Sequence, residues 1–345
     1  MTRVLIAGIV AGVFSIVAGP RFIEFLRRKE LGQQIRAEGP AGHVTKQGTP
    51  TAGGVLIMLA AAIAFFSLSK YQLTGLTVIF VTLGCGVIGF LDDFIKFTHK
   101  RSLGLSGRWK LLLLAAVAAV TGYLAHRAGL SNLTSVLIPG TGYRLELGPF
   151  WYVFIFLVIG GASNGVNLTD GLDGLAAGTA IISLFTFTTM AVLTYIRSSP
   201  TPSLRNPESL DLAIVGAALI GGAIGFLWYN AFPAEVFMGD TGSMAIGGAL
   251  GAFAIMMKTE VLLLLVGGIF LIEALSVIIQ VFTFKYLGRR VFLIAPIHHH
   301  FEMKAWSETK IMVRFWIVAA ILAAGAFAVY YQYFFDFHPE LFHKK

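Results

Sequence analysis

Apolar residues recur along this chain in long blocks, separated by short polar or glycine-rich breaks. A membrane-spanning helix needs about 20 apolar residues, with a usable range of roughly 17–25. Ten blocks approach that length: 4–20, 53–69, 74–91, 109–125, 150–168, 174–196, 210–228, 243–257, 261–284 and 311–333. They predict an all-α, polytopic integral membrane protein with about ten transmembrane helices, residues 1–345 forming a single transmembrane domain. The block at 243–257 is the weakest. It is short and glycine-rich, and would need close neighbours or a thinned bilayer to span. The stretches "GCGVIG", "GGAIG" and "GGALG" read as places where helices pack closely.

Composition agrees with the pattern. The chain is 56% hydrophobic and 13% charged, with a mean hydropathy of +0.78. A soluble domain averages about a quarter charged residues. A net charge of +8 would suggest nucleic acid in a soluble protein. Here the distribution of charge says more than its sum, and no nucleic-acid partner is expected. The single cysteine, Cys85, excludes an intramolecular disulfide and reads as a small buried residue. The first 20 residues resemble a signal peptide, yet "VAGP" leads into a basic loop, so they are read as an uncleaved first span. Ten spans place both termini on one side. The opposite side collects loops 21–52, 92–108, 169–173, 229–242 and 285–310, and most of the 26 Lys and Arg residues. That bias makes it cytoplasmic and puts the termini on the non-cytoplasmic side.

Charge then exposes the chemistry. Five of the seven aspartates, Asp92, Asp93, Asp170, Asp173 and Asp240, fall on that same side, from three separate segments. In "IGFLDDFIKFTHK", Asp92 and Asp93 end an apolar run. Successive helical residues are about 100° apart, so the two carboxylates diverge. A divalent cation, Lys96 or Lys100, or a proton in transit would relieve their charge, and a solvated helix end is the plainer alternative.

In "SNGVNLTDGLDGLAAG", Asn164 and Asn167 are three apart, as are Asp170 and Asp173, so each pair shares a helical face. The segment reads as a polar pocket, or else as a capped turn. "NAFPAEVFMGDTGS" sets Asp240 beside Gly239, just before a helix, where Mg²⁺ and phosphate are both favoured. It is not a Walker A loop. Phe237 suits base stacking or an interfacial aromatic.

Three consecutive histidines in "APIHHHFE", His298, His299 and His300, cannot converge on one zinc from a regular helix. Beside phosphates they make sense as hydrogen-bond donors. In "HVTKQGTPTAGG", Lys46 and Thr51 suit an anion, and lipid attraction explains the basic loop about as well. Gln280 lies near the same end and either faces that cavity or bonds a neighbouring helix. Acids for a metal, cations for phosphate and amides for a polar ligand together suit phosphoryl transfer, in which positioning and charge neutralisation do most of the work.

At "KQGTPTAGG", "GFLDDFIK", "NGVNLTDGLDGLAAG", "WYNAFPAEVFMGDTGS" and "PIHHHFE" the chain resembles the polyprenyl-phosphate N-acetylhexosamine-1-phosphate transferase superfamily. Within it, the chain is similar to the phospho-N-acetylmuramoyl-pentapeptide-transferase branch. The motifs run in order from about residue 43 to 302. One departure is Ala52, where methionine is expected. The resemblance implies a transferase that makes lipid I and UMP from UDP-MurNAc-pentapeptide and undecaprenyl phosphate, with Mg²⁺, on the cytoplasmic side of the bacterial inner membrane. It implies a magnesium ligand in Asp240 and a catalytic pair in Asp92 and Asp93, with His298 assisting. Asn164, Asn167, Asp170, Asp173, Thr51, Gly239 and Phe237 would line the uridine and sugar pocket. Lys100, His299 and His300 would hold the diphosphate or nearby groups, with Lys46, Leu172, Asn230 and Gln280 as further substrate-binding residues. Membrane lipid, a second copy of the chain or a cell-wall synthesis complex are the further partners expected. Two rivals stand beside this reading. One is a sister enzyme transferring GlcNAc-1-phosphate, separated by "PIHHHFE". The other is an ion-coupled transporter, whose ionisable residues belong near the bilayer midplane.

Overall fold

The computed structural model describes residues 1–29, 48–99 and 103–333. Its helices are α1 (Thr2–Arg28), α2 (Gly54–Leu68), α3 (Leu73–Thr98), α4 (Gly107–Arg127), α5 (Trp151–Thr169), α6 (Leu175–Arg197), α7 (Pro207–Asn230), α8 (Gly239–Met256), α9 (Leu263–Val266), α10 (Gly268–Leu287), α11 (Ile297–Glu302) and α12 (Glu308–Tyr331). A small antiparallel hairpin, β1 (Ser135–Leu137) with β2 (Arg144–Glu146), joins α4 to α5. Among the described residues, eight helices are long and apolar enough to cross a membrane, against about ten spans expected.

Each of the ten apolar blocks falls on helix, and three of them carry information the pattern lacked. Helix α2 has only 15 residues. Helix α8 is short because it is central: every residue from Thr241 to Met256 is buried. It packs against α3 and α5, with α2 and α6 also in contact. Glycine and alanine there serve close helix packing, which supplies the close neighbours this weakest block needs. The block at 261–284 is redrawn as two helices that meet at Gly267. Beyond that break the second half of α10 exposes Ile278, Val281, Phe282 and Phe284. A helix apolar on nearly all faces needs an apolar surround such as lipid.

One close approach positions the acids. Gly89 lies a turn before Asp92 on α3, and a Cβ added there would sit 2.0 Å from the Asp240 carbonyl oxygen. Any larger residue would push the first turn of α8 away from the end of α3. At the far end of α3 another aspartate has a structural task. Asp211, fully buried, accepts hydrogen bonds from Ser69 Oγ at 2.7 Å and from the backbone N–H groups of Lys70 and Gln72 at 2.8 and 2.7 Å. It thereby fixes the turn that leads into that helix.

Candidate active site

The ends of α3 and α5 and the starts of α4 and α8 meet at one end of the bundle. Asp92, Asp93 and Asp240 each offer a carboxylate oxygen there, all within 4.8 Å of one another. Two lysines neutralise them. Lys96 Nζ lies 2.6 Å from Asp92 Oδ2 and 3.2 Å from Asp240 Oδ2. Lys110 Nζ lies 3.1 Å from Asp240 Oδ2 and 3.6 Å from Asp92 Oδ1. Asn167, in the last turn of α5, donates from Nδ2 to Asp240 Oδ1 and to Ser243 Oγ, both at 2.9 Å.

The adjacent aspartates diverge, as helical geometry requires. Asp93 Oδ2 accepts from the Thr241 N–H at 3.0 Å and the Thr241 hydroxyl at 2.7 Å, while Oδ1 accepts from the Asp240 N–H at 3.2 Å. Its carboxylate therefore sits on the N-terminus of α8, where orphan N–H groups and the helix dipole favour an anion. Gly239 makes this possible. Its φ is +72°, and a Cβ there would lie 2.7 Å from Asp93 Oδ2 and 2.8 Å from Thr51 Oγ1. Asp92 instead accepts from the Leu105 N–H at 2.9 Å and faces both lysines.

Around this centre many of the expected residues brace the backbone. Asp173 accepts from the Ala234 N–H at 3.0 Å. Asn230 accepts from the Gly174 N–H at 3.1 Å and donates to the Val236 carbonyl at 2.9 Å. Half-buried Phe237 donates its N–H to the Pro50 carbonyl, and the Gly53 N–H returns to the Phe237 carbonyl, both at 2.8 Å. The Thr51 loop is thus tied to the loop before α8. Asn164 donates to Gly160 in its own helix. Leu172 is buried in an apolar cluster with Leu175, Ile269 and Ile311. Gln280 accepts from the N–H groups of Val291 and Phe292 and donates to the Phe292 carbonyl at 2.9 Å, fixing the loop after α10.

The three histidines point three ways. His298 Nδ1 lies 3.1 Å from Glu273 Oε1, His299 pairs with Glu302, and His300 Nδ1 accepts from the Leu293 N–H at 3.1 Å. His298 is fully buried, so in this structure it braces the site from within. Lys46 and Lys100 lie outside the described residues. Lys110 and Glu273 were not singled out among the candidate site residues. A lysine opening α4 at the acid-bearing end, and a lone carboxylate inside the apolar block at 261–284, are the signals that mark them.

Asp170, at the C-cap of α5, holds its proton unusually well. Burial, then the nearby charges of Asp240 and Asp93, push its pKa from 3.8 up to about 8. A folded-state value above the unfolded one adds stability that is fully present below about pH 4 and is lost as pH rises through 8. Asp170→Asn cannot ionise. With divalent cations chelated, its unfolding temperature is expected to fall less than that of the parent chain between pH 6 and 9. Parallel pH profiles of unfolding temperature would remove this account.

Oxygen ligands at this spacing suit a hard divalent cation, which takes one or two carboxylates and fills its remaining positions with water and phosphate oxygens. Asp92, Asp93 and Asp240 could each offer one oxygen to it; those of Asp93 also accept from the first turn of α8, while Lys96 and Lys110 face Asp92 and Asp240. The ammonium groups of Lys96 and Lys110 already lie between those two, so the geometry accommodates positive charge there.

Fold and site define a membrane-embedded transferase of the glycosyl transferase family 4 class, and the model of that family matches residues 75–258. The chain is 45% identical over 329 residues to the phospho-N-acetylmuramoyl-pentapeptide-transferase of Halalkalibacterium halodurans, covering 94% of this chain and 96% of that one. It is 44% identical over 343 residues to the protein of the same name from Rubrobacter xylanophilus (97% and 99%) and 46% over 325 residues to that of a Geobacillus species (92% and 95%). The chain belongs to the phospho-N-acetylmuramoyl-pentapeptide-transferase family.

Proposed function

We propose that the whole chain acts as one catalytic domain that transfers phospho-MurNAc-pentapeptide from UDP-MurNAc-pentapeptide to undecaprenyl phosphate, giving lipid I and UMP. The site would face the cytoplasm from the bacterial inner membrane. Family membership supports the reaction. One observation carries the site assignment: Asp92 and Asp240 share two lysines at the end of the bundle where four helix termini meet.

The chemistry follows from what each group can still do. Asp92, with oxygens turned to the lysines, takes a proton from the lipid phosphate. The freed phosphate oxygen attacks the β-phosphorus of the nucleotide sugar, the bond to the α-phosphate breaks, and UMP leaves. Lys96 and Lys110 hold the negative oxygens that gather around the reacting phosphorus. Asp240 would hold Mg²⁺, which supplies charge neutralisation at the diphosphate. Asp170 and Asn167 border the same space and suit the uridine and sugar. A covalent route would need an aspartate with in-line access to phosphorus. Asp93, engaged in capping α8, is poorly placed for it, and direct attack by an already competent lipid phosphate is favoured.

The test is UMP release by the purified protein in lipid vesicles, with both substrates, with each omitted, and with UDP-GlcNAc in place of UDP-MurNAc-pentapeptide. Release that requires UDP-MurNAc-pentapeptide, polyprenyl phosphate and Mg²⁺ together is expected. Product from UDP-GlcNAc alone would replace this reading with that of the sister enzyme, and trapping of a stable phosphosugar on Asp92 or Asp93 would replace the single displacement.

A further inference from the structure

Glu273 is a fully buried carboxylate within α10, and its one hydrogen-bond partner among the described residues is His298, also fully buried. An ionisable residue so deep in a membrane helix is costly and is kept where it has a task. The opposite edge of the same imidazole meets the acid loop. A Cβ added at Gly171 would lie 2.3 Å from His298 Nε2, so that residue's lack of a side chain is what admits the ring. Gly171 directly follows Asp170 and lies two residues before Asp173. Neither His298 Nε2 nor Glu273 Oε2 has a hydrogen-bond partner among the described residues.

From this we infer that Glu273 is a positioning residue, whose carboxylate orients His298 so that the ring's Nε2 edge supports the 170–174 turn. A histidine's two nitrogens are distinct, and the partner of one sets the tautomer and orientation of the other. With Nδ1–H donated to Glu273, Nε2 turns towards Gly171. The chain of contact runs from α10 through the imidazole of α11 to the turn between α5 and α6. Three separate segments are thus tied beneath the loop that carries Asp170 and Asp173. Neither Glu273 nor His298 needs to touch substrate for this; the turn they support does.

The consequence for the reaction rests on the proposed nucleotide-sugar reading, and the test separates the two. Glu273→Leu keeps similar bulk but removes both acceptor oxygens. It is expected to raise KM for the nucleotide sugar by roughly 10–100-fold, the range lost when the carboxylate partner of a metal-binding histidine is removed, with kcat changed much less. The same substitution made in a His298→Gln background should add nothing further, because Glu273 acts through that ring. Imidazole nitrogen NMR of the whole protein, with His298 assigned by its loss in His298→Gln, should show a proton fixed on Nδ1 in the parent and not in Glu273→Leu. Gly171→Ala displaces the ring from the other side without touching Glu273. It is expected to raise the same KM, and it keeps the test open should Glu273→Leu fail to fold. An unchanged KM together with unchanged His298 nitrogen signals in Glu273→Leu would overturn the inference, as would fully additive losses in the double variant. If the parent transfers nothing from the nucleotide sugar, the proposed function fails, while the nitrogen signals still decide whether Glu273 sets the state of His298.

Discussion

Asp240→Asn is expected to lower transfer by about 10³-fold or more, the size of effect seen when a charge-neutralising group is removed from a phosphoryl-transfer site. The substitution keeps the side chain's shape and leaves an oxygen to accept from Asn167, so the local hydrogen bond at 2.9 Å can survive. What it removes is the charge that Lys96 and Lys110 share with Asp92. Both lysines would keep Asp92 as a partner, so the fold should hold and the unfolding temperature should move little. The loss should therefore appear in turnover and in divalent-cation binding together. Mn²⁺ binding followed by electron paramagnetic resonance, alongside UMP release, checks both. Wild-type Mn²⁺ affinity in a dead Asp240→Asn would move the cation to other ligands and undo the assignment of Asp240.

Which parts of this site could be read from the sequence depends on whether a residue's neighbours are set by period or by tertiary approach. The divergence of Asp92 and Asp93 follows from helical rotation alone, and it is realised: one carboxylate faces lysines, the other caps α8. Their convergence with Asp240 was legible from loop alternation, which placed five aspartates at one end. The order of partners was not. Nothing in "GFLDDFIK" says that Asp93 would meet the first turn of a helix some 147 residues later, because that contact exists only through the close approach at Gly89. Lys110 was missed for a similar reason. It opens a span and reads as a flanking charge until α4 is docked beside α3. Hydropathy marks α8 as the weakest block, and which neighbours sheath it, letting it trade apolar bulk for glycine, is set by tertiary packing. Amides such as Asn230 and Gln280, expected to reach for ligand, are engaged with backbone groups of loops whose course no local pattern specifies.

Asp92→Asn and Asp93→Asn are expected to fail in different ways, although the two residues are adjacent. Asp93 accepts three hydrogen bonds from the first turn of α8. An amide in its place can still accept through one oxygen, but its NH₂ would face the N–H of Asp240 or Thr241, donor against donor. Hydrogen bonds to a charged group contribute about 1.5–3 kcal/mol each, and leaving a buried donor unmade costs about 1–3 kcal/mol. Asp93→Asn should therefore lower the unfolding temperature measurably and weaken Mn²⁺ binding, because the turn it releases carries Asp240. Asp92→Asn keeps an oxygen for the Leu105 N–H and lies outside the α8 cap. Its unfolding temperature should stay near that of the parent while turnover falls by roughly 10²–10⁴-fold, the contribution of a well-placed general base. Thermal unfolding in lipid nanodiscs, Mn²⁺ titration and UMP release on the same preparations separate the two. If Asp93→Asn unfolds at the parent's temperature yet loses as much turnover as Asp92→Asn, the cap is not the task of Asp93, and the two carboxylates act on the substrate together.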